Sequence, residues 1–143
     1  MNPSNTILLV EDSPEDAELT LREFRNGNVS NEIVVVRDGV EALDYLIGTA
    51  TQEPQALPEL ILLDLKLPKI GGLALLRRLR AEERTRHVPV IVLTSSNEVK
   101  DILSSYDLGA NSFVRKPVNL VQLILATKEL GLRWLVLNNP PAE

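Results

Sequence analysis

Glu11 and Asp12 follow the apolar run TILLV (6–10). Asp64 closes ELILLD (59–64), Thr94 closes VPVIVLT (88–94) and Lys116 closes NSFVRK (111–116). A charge in or beside an apolar run costs roughly several kcal/mol unless it is paired, bound to a metal or open to water. Brought to one place, the three carboxylates could not all stay ionised without a cation. Hard oxygen ligands of this kind suit Mg²⁺ or Mn²⁺. Asp64 would then be a carboxylate nucleophile beside the cation, with the Thr94 hydroxyl and the Lys116 ammonium as donors to phosphoryl oxygens. That is equipment for phosphoryl transfer to an aspartate, which needs positioning and charge stabilisation more than covalent help.

Whether these groups meet depends on the elements that carry them. TILLV reads as a first strand. SPEDAELTLREFRNG (13–27) reads as a helix with Ser13 capping, Pro14 at its first position, Asp16 three after the cap and Gly27 at its stop. Leu19, Leu21 and Phe24 are its expected apolar contacts. EIVVVR (32–37) is a second strand, DGVEALDYLIG (38–48) a short helix and TATQEPQALP (49–58) a loop. ELILLD is the third strand and GLALLRRLRAEER (72–84) a third helix with Leu73, Leu75, Leu76 and Leu79 inward. VPVIVLT is the fourth strand, EVKDILSSYDLG (98–109) a fourth helix, NSFVRK the fifth strand, and a fifth helix starts at NLVQLILATKEL (119–130). The runs ILLV, IVVV, LILL and VIVL are apolar at consecutive positions, as in parallel strands covered on both faces. Five βα units with right-handed crossovers fit the flavodoxin-like doubly wound α/β fold, a five-stranded parallel sheet of order 2-1-3-4-5. Ligands bind such sheets beyond the carboxyl ends of the strands, and strands 1 and 3 are neighbours there, so Glu11, Asp12 and Asp64 converge.

The chain has 143 residues, 44% hydrophobic and 24% charged, as expected of one globular domain spanning 1–143, with 131–143 as a C-terminal extension. With no cysteine, disulfides, thiolate catalysis and thiolate-bound zinc are excluded, and the single histidine, His87, cannot build a multi-histidine metal site. A formal charge of −5 argues against a nucleic-acid binder. No signal peptide is expected, and charges interrupt the apolar C-terminal region, so a cytoplasmic protein without a membrane span is the expectation.

VED (10–12), LLDLKLP (62–68), VLTSS (92–96) and FVRKP (113–117), each at the end of its own strand, resemble the response-regulator receiver domain of two-component signalling. The resemblance runs from residue 6 to about 130. It implies that Asp64 accepts a phosphoryl group from a sensor histidine kinase. Asp12 would bind Mg²⁺ directly, Glu11 directly or through water, with Asp64 and the backbone carbonyl of Lys66 as further ligands. Thr94 would hydrogen-bond a phosphoryl oxygen and Lys116 would ion-pair with the phosphoryl group. Pro117 matches a proline often preceded by a cis peptide bond, and Phe113 an aromatic switch that turns inward as Thr94 moves. That would change the face made by the fourth helix, fifth strand and fifth helix and so signal an effector. Ser95 is small, as the family's residue there usually is. Gly71 departs from the acidic residue or asparagine that often precedes Gly72, and Lys66 from the asparagine or methionine common at its position. Lys66 and Ser96 would tune the lifetime of the phosphoaspartate.

The TATQEPQALP loop, DLKLPK (64–69) and LGLRWLVLNNPP (130–141) further resemble single-domain regulators that work with cyanobacterial phytochromes. Such a protein is a switch with no output domain, not an enzyme acting on other molecules. An aspartate-nucleophile phosphatase would need an acid where Lys66 stands. A flavin carrier would need a phosphate loop richer in glycine, serine and threonine than EDSPED. His87 reads as a surface residue, and Arg77, Arg78, Arg80, Arg84 and Arg86, interleaved with Glu82 and Glu83, as a solvated helix face. In LVQLILATKELGLRWLVL, Leu120, Leu123, Leu130, Trp134 and Leu137 form one stripe, while Val121, Leu125, Leu132 and Leu135 lie off it. The second apolar face is expected to support a homodimer.

Overall fold

The computed structural model describes residues 6–67, 70–95, 104 and 106–129. Their elements are β1 (Ile7–Val10), α1 (Pro14–Asn26), β2 (Ile33–Val36), α2 (Gly39–Leu46), β3 (Leu60–Asp64), α3 (Gly72–Ala81), β4 (Val90–Thr94), β5 (Ser112–Arg115) and α4 (Leu120–Glu129). All strand pairs are parallel and the sheet order is β2-β1-β3-β4-β5, as expected from the sequence. Most of the 98–109 segment lies outside the described residues, though Ser104, Tyr106 and Asp107 are helical. Ser96, Pro68 and residues 130–143 also lie outside them. No helix among the described residues is long and apolar enough to cross a membrane.

The consecutive apolar runs divide by alternation between two cores. Leu8, Val10, Ile61, Leu63, Val90 and Val92 pack with Ala42, Leu46, Leu75, Leu76 and Leu79 of α2 and α3. Ile7, Leu9, Leu60, Leu62, Ile91 and Leu93 pack with Ala17 and Phe24 of α1 and Leu123 of α4. Side chains two residues apart share a sheet face. Glu11 therefore continues the Ile7–Leu9 row, Asp64 the Leu60–Leu62 row and Lys116 the row of Val114, all toward α1. The same alternation puts Thr94 with Val90 and Val92 on the α2–α3 side.

Several local expectations are revised. Leu19 is 48% exposed, because the buried stripe of α1 runs through Ala17, Thr20 and Phe24 and leaves it aside. In β2, Ile33, Val34 and Val35 are only half-buried, since an edge strand has a neighbour on one side alone. α3 stops at Ala81 rather than 84. Glu82 turns to an extended backbone (φ −88°, ψ 130°), and the Thr85 hydroxyl donates to the Leu79 carbonyl at 2.6 Å, satisfying one end of the helix. Along α4, Leu123 is buried while Val121 (64%) and Leu125 (54%) are exposed, the two-faced pattern read for that segment.

The arginine run is not uniformly solvated either. Arg80 is half-buried, and its guanidinium donates to the carbonyls of Gly109 (2.9 Å), Val88 (2.7 Å), Arg86 (3.0 Å) and Thr85 (3.3 Å) and to Asn111 Oδ1 (2.9 Å). Arg84 donates to the Leu46 and Gln55 carbonyls at 2.9 and 2.7 Å. Both staple loops at the sheet's amino edge, satisfying carbonyls that no ladder reaches. Arg80→Ala should cost about 2–4 kcal/mol of unfolding free energy, and Arg77→Ala, at an exposed site on the same helix, within about 0.5 kcal/mol. Denaturant unfolding of both variants checks this, and equal losses would contradict the stapling role.

Candidate acidic site at the carboxyl edge of the sheet

Three strand ends and the first turn of α1 build the site. The Glu11 backbone N–H, one residue past β1, donates to Val36 at 2.9 Å and so extends the ladder, and the side chain is buried. Asp64 ends β3 and is 5% exposed, while Asp12 faces solvent. One carboxylate oxygen from each of Glu11, Asp12 and Asp64 lies within 4.8 Å of the others. Lys116 follows β5, its N–H donating to the Thr94 carbonyl at 3.0 Å, and its peptide bond to Pro117 is cis.

Lys116 is the hub of the charges. Its Nζ lies 2.6 Å from Glu11 Oε1, 2.9 Å from Asp16 Oδ2 and 3.1 Å from Asp64 Oδ2. The other Asp64 oxygen accepts the Lys66 backbone N–H at 3.1 Å, so the carboxylate is held from two directions. Glu11 Oε2 accepts the Ser13 N–H at 3.3 Å. Glu11 Oε1 is buried and has no hydrogen-bond partner, its 2.6 Å contact with Nζ being an ion pair. A buried carboxylate with an incompletely bonded oxygen, in a group whose offered oxygens lie within 4.8 Å of one another, fits a hard divalent cation.

Burial pushes the Glu11 carboxyl from 4.5 up to about 7, and Asp64 adds to this while Lys116 opposes it. For Lys116, burial disfavours the ammonium, but Glu11, Asp16 and Asp64 outweigh that and hold it above its ordinary value. From pH 4.5 to about 7, folded chains keep a proton on Glu11 that unfolded chains have released. Glu11 therefore makes stability fall as pH rises through that window. Without divalent cations, wild-type stability should decline relative to Glu11→Gln across that range and level off above about 7. A pH-independent difference in unfolding midpoint would contradict it.

Of the residues singled out in the sequence, Glu11, Asp12, Asp64 and Lys116 converge. Thr94 ends β4 buried, with Ser95 exposed beside it. The Lys66 side chain is exposed, and its backbone N–H is what touches Asp64. Phe113 lies on β5, half-buried against the α2–α3 core, in edge-to-face contact with Tyr106 (centroids 6.2 Å, 81°). Two residues were missed. Asp16, read only as part of a cap, does give its N–H to Ser13 Oγ (3.2 Å), but its carboxylate reaches Lys116. The clue was its place next to Ala17 on the buried stripe of α1. Gly72 lies so close to the end of β3 that a Cβ there would stand 2.5 Å from Leu65 Cα and 2.6 Å from the Asp64 carbonyl.

A doubly wound sheet of this order, with acids and a lysine gathered at its carboxyl edge, defines a receiver-type signalling domain. The chain belongs to the response regulator receiver domain family, whose sequence model matches residues 7–128. It is 35% identical over 141 residues to the response regulator Rcp1 of Synechocystis sp., covering 99% of this chain and 96% of that one. The Mn²⁺-bound structure of Rcp1 superposes with a TM-score of 0.72 at 34% identity, covering 96% of this chain and 99% of that one. The structure of the bacteriophytochrome response regulator AtBRR superposes at 0.84 with 47% identity, covering 96% of this chain and 100% of that one. The phosphorylated cyanobacterial phytochrome response regulator RcpA does so at 0.75 with 37% identity, covering 95% and 99%.

Proposed function

We propose that this chain accepts a phosphoryl group on Asp64 from a sensor histidine kinase of phytochrome type and relays that state to a partner in the cytoplasm. The observation that supports it is the fixed Asp64 carboxylate, with Oδ1 on the Lys66 N–H and Oδ2 on Lys116, beside Glu11 and Asp12. An Asp64 oxygen attacks phosphorus, the new O–P bond forms and the P–N bond of the donor phosphohistidine breaks. The imidazole leaves with the electron pair and is protonated by solvent. Glu11, Asp12, Asp64 and the Lys66 carbonyl would hold Mg²⁺ or Mn²⁺, which when bound offsets negative charge on the phosphoryl oxygens. The Thr94 hydroxyl donates to one of those oxygens and Lys116 pairs with another. As Thr94 is drawn to the phosphoryl group, Phe113 turns inward and the surface around Tyr106 and β5 changes.

Because a cation must displace the Glu11 proton, its affinity should rise with pH by up to about tenfold per unit, levelling near pH 7. Calorimetric titration with Mg²⁺ checks this. The kinase assignment is supported by the relatives named for phytochrome systems. It is tested by phosphotransfer from a light-switched phytochrome kinase in its two states, and transfer that ignores both states would sink it. The exposed Val121, Ile124 and Leu125 on α4 support a homodimer through that side. Deleting 131–143, read as a C-terminal extension, should lower the oligomer mass in light scattering, and an unchanged mass would count against a role for that segment.

A further inference from the structure

Asp16 is a partner of Lys116 that belongs neither to the acceptor nor to the acidic cluster of Glu11, Asp12 and Asp64. Its Oδ2 accepts a hydrogen bond from Lys116 Nζ at 2.9 Å, shorter than the 3.1 Å to Asp64. The backbone that carries it is rigid. Its N–H is bound by Ser13 Oγ, and its carbonyl accepts the Thr20 hydroxyl at 3.1 Å. The Asp16 side chain is 42% exposed and borders an open cavity of about 260 Å³ that also reaches Ser95 and Lys116.

A lysine ammonium has three N–H donors. Two of them go to Asp16 and Asp64, and Glu11 Oε1 crowds Nζ at 2.6 Å, so a phosphoryl oxygen competes with these carboxylates for the ammonium. Two of these carboxylates are altered by the chemistry itself. Asp64 loses its carboxylate charge when it becomes the acyl phosphate, and Glu11 faces the cation site. Of the three, Asp16 alone is neither the acceptor nor a member of the acidic cluster, so its charge is left unspent by the chemistry. We infer that Asp16 is a positioning residue that holds Lys116 back in the unphosphorylated state and competes with the phosphoryl group for it, so limiting the rate at which Asp64 is phosphorylated. The inference rests on the reading of Asp64 as acceptor.

The test uses the full chain, saturating Mg²⁺ and acetyl phosphate. The Asp64 O–P bond forms, the bond from phosphorus to the acyl oxygen breaks, and acetate leaves with the electron pair. Asp16→Asn should phosphorylate about threefold to tenfold faster than the wild type, since one half-exposed charge pair is released. Its half-saturating Mg²⁺ concentration should stay unchanged. Asp16→Glu should restore the slower rate. Glu15→Gln, which removes the same charge one residue away at an exposed position, should behave as wild type. Asp16→Ser, assayed in parallel, should reproduce the acceleration if asparagine perturbs the start of α1. An unchanged or slower rate in both Asp16→Asn and Asp16→Ser overturns the inference, and so does equal acceleration by Glu15→Gln. A wild-type chain that takes no label overturns the acceptor assignment itself, and this inference with it. A labelled wild type in which neither Asp16→Asn nor Asp16→Ser is accelerated overturns only the inference.

Discussion

Incubated with Mg²⁺ and a small acyl phosphate, the wild-type chain should gain one acid-stable, hydroxylamine-labile phosphoryl group, and Asp64→Asn should gain none. The two side chains are nearly isosteric. The asparagine oxygen can still accept the Lys66 N–H that Asp64 Oδ1 accepts at 3.1 Å, so the local backbone has no reason to move. What disappears is the nucleophile, because an amide oxygen does not attack phosphorus at a useful rate. The substitution also takes one negative charge from a group of acids that repel one another, so the variant should fold at least as well as the wild type. Failure to label is therefore a loss of chemistry and not of structure. Labelling that persists in Asp64→Asn would remove the central assignment.

The second large effect is expected at Gly72. Its N–H donates to the Leu65 carbonyl at 3.0 Å, docking α3 on the turn that leaves β3. An added Cβ would lie 2.5 Å from Leu65 Cα, 2.6 Å from the Asp64 carbonyl and 2.8 Å from the Leu65 carbonyl. All three are backbone atoms, so no rotamer change relieves the contact. Gly72→Ala must push α3 and the end of β3 apart, at a cost of about 1–3 kcal/mol. The same displacement moves the acceptor carboxylate, and a misplacement of about 1 Å can lower a rate by about 100-fold. Gly71→Ala is the control. Nothing lies within 4 Å of a Cβ there, and φ is −63°, which suits any residue. Denaturant midpoints and acetyl-phosphate kinetics on the two variants would settle the matter, and wild-type kinetics in Gly72→Ala would show that close docking is not needed.

The strand ends were legible because each is a polar residue ending a run of apolar ones, as LILLD shows for Asp64. Strand order followed from five βα units. Buried charges on neighbouring strands could then be assigned to one sheet edge. The errors fall where a side chain's partner lies far along the chain. Arg80 looked like one of several solvated arginines, yet it binds carbonyls up to 29 residues away. Leu19 looked like a core residue because its type was counted before its position around the helix.

Sequence alone thus determined the α/β architecture, the strand-end acids, and the gathering of Asp64 with Glu11, Asp12 and Lys116 at one sheet edge, because local periodicity and chain order constrain these directly. Only the tertiary structure decided that Lys116 divides itself among Glu11, Asp64 and Asp16, and that Gly72 must lack a side chain. The Asp16–Lys116 contact spans 100 residues. It is set by the angle at which α1 leaves β1 and by the reach of a lysine beyond β5. Gly72 is set by how closely one backbone approaches another. These distances between packed elements have no counterpart in residue spacing.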